Sequence, residues 1–155
     1  MAVHLTYDVE LGLTGPIPLA AVVQHVDPVR SPPWVGLEDH PLDVQRIRAF
    51  LAAGDVEPVP FEWTTWERMA AEWPPDRHLR RIAYLMALSA LDPIEIEVLD
   101  YGINISDGHH RLAACIIDGR PTIDAGISGF LDNAGAVLGI EISCPDETIL
   151  FTEYS

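Results

Sequence analysis

Apolar and polar positions along this chain follow two periods, and the changes of period mark its elements. Residues 94–99, IEIEVL, alternate strictly, as a half-buried strand does. YGINIS (101–106) follows a tight Asp100-Tyr101-Gly102 turn and predicts a second strand. In RHLRRIAYLMALSAL (77–91), Leu79, Ile82, Ala83, Leu85, Met86 and Leu88 form a broad stripe at helical spacing, closed by Asp92-Pro93. LDVQRIRAFLAAG (42–54) carries Leu42, Val44, Ile47, Phe50 and Leu51 at the same spacing, with Gly54 as its stop. A small-residue helix is expected from about Gly108 to Asp118, with Gly119 just beyond its end, and RPTIDAGIS (120–128) returns as a strand.

The flanking regions are less regular. VHLTYDVEL (3–11) reads as a first strand, and GPIPLAAVVQHVDP (15–28) fits a strand or a short helix. SPPWVGLEDHP (31–41) is loop by its Pro, Gly and Asp content, and DVEPVPFEW (55–63) is extended by its prolines. TTWERMAAEW (64–73) predicts a short helix capped by Thr64 or Thr65 and ended by Pro74-Pro75, with Asp76 able to cap the next helix. Residues 136–143 and 148–153 predict a closing β-pair. The order is α+β, or α/β, with one mixed sheet and no internal repeat. A length of 155 residues fits a single domain over 1–155.

Composition narrows the class. Apolar residues make up 48% and charged residues 21%, the balance of a folded globular chain. The formal net charge is −15, all nine basic residues are arginine, and lysine is absent. Such a chain repels a nucleic-acid backbone at long range, which argues against direct DNA binding and leaves room for a basic protein partner. Cys115 and Cys144 have no CxxC spacing and read as reduced thiols, with no disulfide expected. No apolar run nears the ~20 residues of a membrane span. The opening MAVHLTYDVELG has neither the basic nor the apolar part of a signal peptide, so the expected location is the cytoplasm.

The chemistry gathers at INISDGHHRLAACIIDG (103–119), a strand–loop–helix turn. First-turn N–H groups of a helix lack intrahelical acceptors and sit at the positive end of its dipole, a geometry that binds anions and phosphate above all. Gly108 offers close backbone approach, and Arg111 can present a bidentate fork. His109 and His110 can donate hydrogen bonds or carry a proton beside a phosphate. Asp107 suits capping, or holding a magnesium-bound water. A cation at a helix N-terminus opposes the dipole, so Arg111 calls for an anion, whether a ligand or an internal carboxylate such as Asp107 or Asp100. A capped turn with exposed polar residues is the plainer alternative. Adjacent histidines point about 100° apart on a helix, and no HExxH or CxxC spacing supports zinc. Trp34, Trp63, Trp66 and Trp73 read as core or an oligomer seam rather than a base-stacking platform.

PIEIEVLDYGINISDGHHRLAACIIDGRPTIDA (93–125), with RHLRRIAYLM upstream, resembles the ParB/sulfiredoxin-like fold, in particular small proteins of the ParB-like N-terminal-domain type. The likeness spans about residues 77–125; residues 1–75 and 129–155 lie outside it. It implies a mixed sheet flanked by helices and a nucleotide site at the turn. ATP, ADP or CTP phosphates would be held there, with magnesium. Carried over, Gly108, His109, His110 and Arg111 line the phosphates and Asp107 orients them. His78 and Arg81, a turn apart on the preceding helix, reach the same pocket. Arg77 and Arg80 fit a solvated, ion-paired face equally well. The reactive cysteine of sulfiredoxins is replaced by His109, which argues against that chemistry. The Gly-Glu-Arg-Arg motif and helical DNA-binding domain of ParB CTPases are absent. The free-serine kinase branch needs a carboxylate near its N-terminus, for which Glu10, Glu38 and Asp39 are available.

Three functions follow from different classes. The first is a small nucleotide-dependent phosphotransferase or NTP hydrolase. The second is a non-catalytic sensor or interaction module acting through its acidic surface. The third is a ParB-like DNA nuclease or regulator, which the net charge opposes.

Overall fold

The computed structural model describes residues 2–61 and 73–143 of the chain. In sequence order the elements are β1 (Ala2–His4), β2 (Thr6–Asp8), β3 (Gly12–Pro18), α1 (Leu19–Val23), α2 (Val44–Ala53), α3 (Pro75–Met86), β4 (Ile94–Val98), β5 (Ile103–Asp107), α4 (His109–Asp118), β6 (Thr122–Gly129), a 3-10 turn (Leu131–Asn133), α5 (Ala134–Leu138) and β7 (Glu141–Ser143). The protein is mixed α and β. It divides into two compact units that interleave along the sequence: a β unit of Met1–Val26, Asp92–Gly108 and Arg120–Ser155, and a helical unit of Asp27–Leu91 and His109–Gly119.

The β unit is built on a five-stranded sheet of order β2-β3-β6-β4-β5. Neighbours are antiparallel except β4 and β6, which run parallel with Ile96 opposite Ile127. Ile94, Ile96 and Val98 are fully buried while Glu97 is exposed, so the alternation of IEIEV is the burial pattern of β4. β3 tolerates Pro16 and Pro18 because β2 pairs only with Gly12–Thr14 and leaves that flank without a ladder partner from β2. The expected strand over 3–11 is two strands in different sheets, since β1 pairs in parallel with β7. The expected strand over 136–143 is instead α5 followed by β7. Gly139, at φ +68, ends α5 and frees the chain for that pairing. The 148–153 partner, Cys144 and the helix expected over 64–73, apart from Trp73, lie outside the described residues.

The helical unit packs α2, α3 and α4 around Ile47, Leu79, Ile82, Ala83, Leu85, Ala113, Ala114 and Ile117, with Trp34 and Leu42 supplied by the preceding loop. α2 is capped at its start by Asp43, whose carboxylate accepts from Arg46 N–H at 3.0 Å, and ends at Gly54 in the left-handed conformation, φ +68. Asp76 does not cap α3. The helix starts at Pro75 with Pro74 before it and has no side-chain cap; Asp76 pairs with Arg46 instead, Nε to Oδ1 at 3.0 Å. α3 stops at Met86, short of the expected Leu91. Among the described residues no helix is long and apolar enough to cross a membrane.

Candidate functional site

β5 ends at Asp107, which is exposed, and α4 begins at His109. Between them Gly108 has φ +117, and a Cβ there would lie 2.5 Å from Ile94 Cγ2. Glycine is therefore required at 108 by backbone conformation and by the Ile94 side chain, whatever a ligand would need. Gly119, at φ +67 just after α4, matches the expected stop.

Within the helical unit, α3 and α4 bring His78 and His110 together. His78 is 2% exposed and His110 9%. Nδ1 of His78 and Nε2 of His110 are 2.9 Å apart, a hydrogen bond between two imidazoles. The two rings are within 14° of parallel. The Trp34 indole stacks on this pair, 4.3 Å from the His110 centroid and 5.2 Å from that of His78. Phe61 and Trp73 approach at inclined angles, each within about 5–6 Å of both imidazoles, and meet edge-on with centroids 5.1 Å apart. The Trp34 Nε1–H is buried without a hydrogen-bond acceptor among the described residues.

Burial drives the His78 pKa down to about 4, helped by the positive charge of Arg77. Burial pushes His110 well below the ordinary imidazole value, with His78, Arg81, His109 and Arg111 adding to it. Both rings are neutral near pH 7, so one of the facing nitrogens donates and the other accepts. Burial of His110 opposes the charged form that a proton beside a phosphate would require. These two histidines are a structural plate on which aromatic rings stack.

The arginines of α3 divide into two kinds. Arg77 pairs with Glu57, and Arg80 Nε with Asp55 Oδ1 at 3.1 Å. Their guanidinium groups also lie over rings, Arg77 over Trp73 and Arg80 over Phe50. They are the ion-paired face that the sequence left as one of two alternatives. Arg81 donates to backbone carbonyls instead, to Pro58 O at 2.7 Å. Burial lowers its pKa from the ordinary arginine value, and the positive charge of Arg111 lowers it further against the opposing pull of Tyr84 and Glu57. Arg81, His109 and Arg111 thus bring positive charge and donors into one neighbourhood of the helical unit. His109 and Arg111 are half-buried.

Of the carboxylates the sequence offered, Glu38 accepts from Gly36 N–H within its own loop, and Glu10 belongs to the β2–β3 turn of the other unit. Among the described residues no group of three or more His, Cys, Asp or Glu side chains is arranged to hold a metal ion. Trp34, Phe61 and Trp73 form the aromatic wall around the histidines, a role their sequence positions left open. A tryptophan inside the Pro/Gly-rich loop 31–41 was the one available signal, since so large a ring is seldom solvated. No family model matches the chain, and neither the curated proteins nor the solved structures contain a match to it.

Proposed function

We propose that this protein has the ParB/sulfiredoxin-like fold and binds a nucleotide or another phosphate ligand through the first turn of α4. Arg81, His109 and Arg111 are the phosphate donors in this reading. His78 and His110 stand behind them as the neutral pair that fixes the turn. Asp107 and Gly108 lead into it from β5. The observation that carries the reading is the convergence of α3, which bears Arg81, and the first turn of α4, which bears His109 and Arg111, at the hydrogen bond between His78 and His110. Guanidinium groups on two neighbouring helices offer the planar, paired donors that fit phosphate oxygens.

With magnesium accompanying the nucleotide, the activity to assay is phosphoryl transfer or NTP hydrolysis. There the guanidinium groups would neutralise charge developing on the transferred phosphoryl group. The test is calorimetric titration of the full chain with ATP, ADP and CTP, each with magnesium, against the wild type and Arg111→Ala. Binding by the wild type that is lost in Arg111→Ala, with Arg77→Ala unaffected, supports the reading. An absence of heat with all three nucleotides overturns the nucleotide reading, and binding without turnover assigns a sensor rather than an enzyme.

A further inference from the structure

Two aromatic rings of the β unit face solvent: Tyr101 is 88% exposed and Phe130 55%. They stand at the same end of neighbouring strands. Tyr101 lies in the turn from β4 to β5, and Phe130 directly follows β6, one residue past the pairing of Val98 with Gly129. Backbone hydrogen bonds close both turns. Phe130 N–H donates to Val98 O at 3.0 Å, Asn133 N–H donates to Phe130 O at 3.0 Å, and Leu99 N–H donates to Gly102 O at 2.8 Å. Gly129, at φ +87, admits the close approach of the Val98 carbonyl that sets Phe130 outward. These rings are presented on closed turns, which spares a partner the cost of ordering them.

The charge around them has one sign. Glu97, Asp100 and Asp132 are exposed, and Glu97 Cγ lies 3.2 Å from the position of a Cβ on Gly129. The β unit's single arginine among the described residues, Arg120, precedes β6 and so stands at the opposite end of that strand. The helical unit shows how this chain uses such rings. Arg46 and Arg80 lie 5.1 and 4.6 Å from the Phe50 centroid, Arg77 4.2 Å from Trp73 and Arg81 5.2 Å from Tyr84. Tyr101 and Phe130 have no such cation over them among the described residues.

We propose that this end of the sheet docks an arginine-rich segment of a partner protein. Its guanidinium groups stack on Tyr101 and Phe130 and pair with Glu97, Asp100 and Asp132. A nucleic-acid backbone or an anionic bilayer is repelled by the same field. The chain's own segments 62–72 and 144–155 bring one arginine against six carboxylates, so they do not supply the cations. A second copy offers Arg46, Arg77 and Arg80 already paired with Asp76, Glu57 and Asp55.

The probe is a fluorescent peptide of four Arg-Ser repeats, with its Lys-Ser counterpart, titrated with the full chain at 0.15 M salt. Tyr101→Ala with Phe130→Ala, both at exposed positions, is expected to weaken the arginine peptide about tenfold with an unchanged thermal transition. Tyr101→Phe, and Asp124→Asn on β6, should stay within about twofold of wild type, and the lysine peptide should bind more weakly. Equal binding by the double variant overturns the proposal in favour of diffuse electrostatic attraction, and no binding of either peptide overturns it outright. Self-association of the wild type that the double variant abolishes also overturns it, and assigns the rings to a homodimer seam.

Discussion

The two units solve the problem of an acidic sequence in opposite ways. Among the described residues the helical unit sets seven arginines against eight carboxylates, whereas the β unit sets one against ten. In the helical unit Arg46, Arg77, Arg80 and Arg81 pair with carboxylates or lie over rings, and His78 and His110 are buried in an aromatic wall. In the β unit His4 and His25 are exposed, Glu95 and Glu97 alternate with buried residues along β4, and two aromatic rings face outward. The net charge of −15 is thus an average over dissimilar regions. The charge-based argument against nucleic acid holds for the sheet. It says less about a phosphate-sized ligand meeting three donors on two helices, because a small anion samples the local field.

Substitution of the aromatic rings should separate the units most sharply. Trp34 is 1% exposed and stacks on both imidazoles, so Trp34→Ala should cost about 3–5 kcal/mol in denaturant unfolding. Tyr101→Ala, at an exposed turn, should change stability by no more than about 0.5 kcal/mol. Equal costs would mean that the two rings do not differ in packing as their burial indicates.

The next contrast is between two left-handed glycines. Gly108→Ala forces a Cβ against Ile94 in addition to the strain of φ +117, and a loss of about 2–3 kcal/mol is expected. Gly54 at the end of α2 has φ +68, and among the described residues no atom lies within 4 Å of where a Cβ would stand, so Gly54→Ala should cost only about 1 kcal/mol. Both are read from paired thermal or urea transitions, and a Gly108→Ala protein as stable as Gly54→Ala would contradict the packing at Ile94.

The imidazole pair gives the helical unit a pH signature. Above pH 6.5 both the folded and unfolded forms of His78 are neutral and contribute no pH dependence. As pH falls from 6.5 to about 4, the unfolded chain takes up the proton and the folded chain does not, so stability falls. Below that window both states are protonated and the loss is complete. His110 shifts in the same direction and adds to the fall. Each fully buried imidazole contributes a slope of up to about 1.4 kcal/mol per pH unit. Urea midpoints between pH 6.5 and 5.5, above the range where most carboxylates titrate, should decline in the wild type and flatten in His78→Phe with His110→Phe.

These contrasts bear on what the sequence could disclose. The burial of β4 and the stops at Gly54 and Gly119 were legible because each depends on near neighbours: a period of two, or a residue able to turn left-handed. The division of 3–11 between two sheets was not, because alternation specifies which face a residue takes and is silent on which strand it pairs with. β7 was hidden for the same reason, since its partner is β1, far away in sequence. At the candidate site the grouping of His78 and Arg81 with the α4 turn was implied only by the family resemblance. The depth of the histidines could not, because it is set by Trp34, Phe61 and Trp73, which come from segments that read as loop, extended chain and a different helix.

The smallest expected effect concerns Arg46 and Asp76. The hydrogen bond from Arg46 holds the Asp76 carboxyl below its ordinary value, and the same bond raises Arg46. Both side chains are well exposed, at 51% and 38%, so water and salt screen the pair. Because the folded carboxyl is depressed, the contribution of the pair is present above the ordinary aspartate value and is lost as pH falls through that range. Asp76→Asn should therefore shift the urea midpoint slightly at low salt, and not measurably at 0.5 M salt. Asp76 also lies in the first turn of α3, where a negative charge favours the helix dipole. Arg46→Ala separates the two contributions: it removes the pair and leaves the dipole term. A salt-sensitive shift in Asp76→Asn without one in Arg46→Ala would assign the effect to the helix start rather than to the pair between α2 and α3.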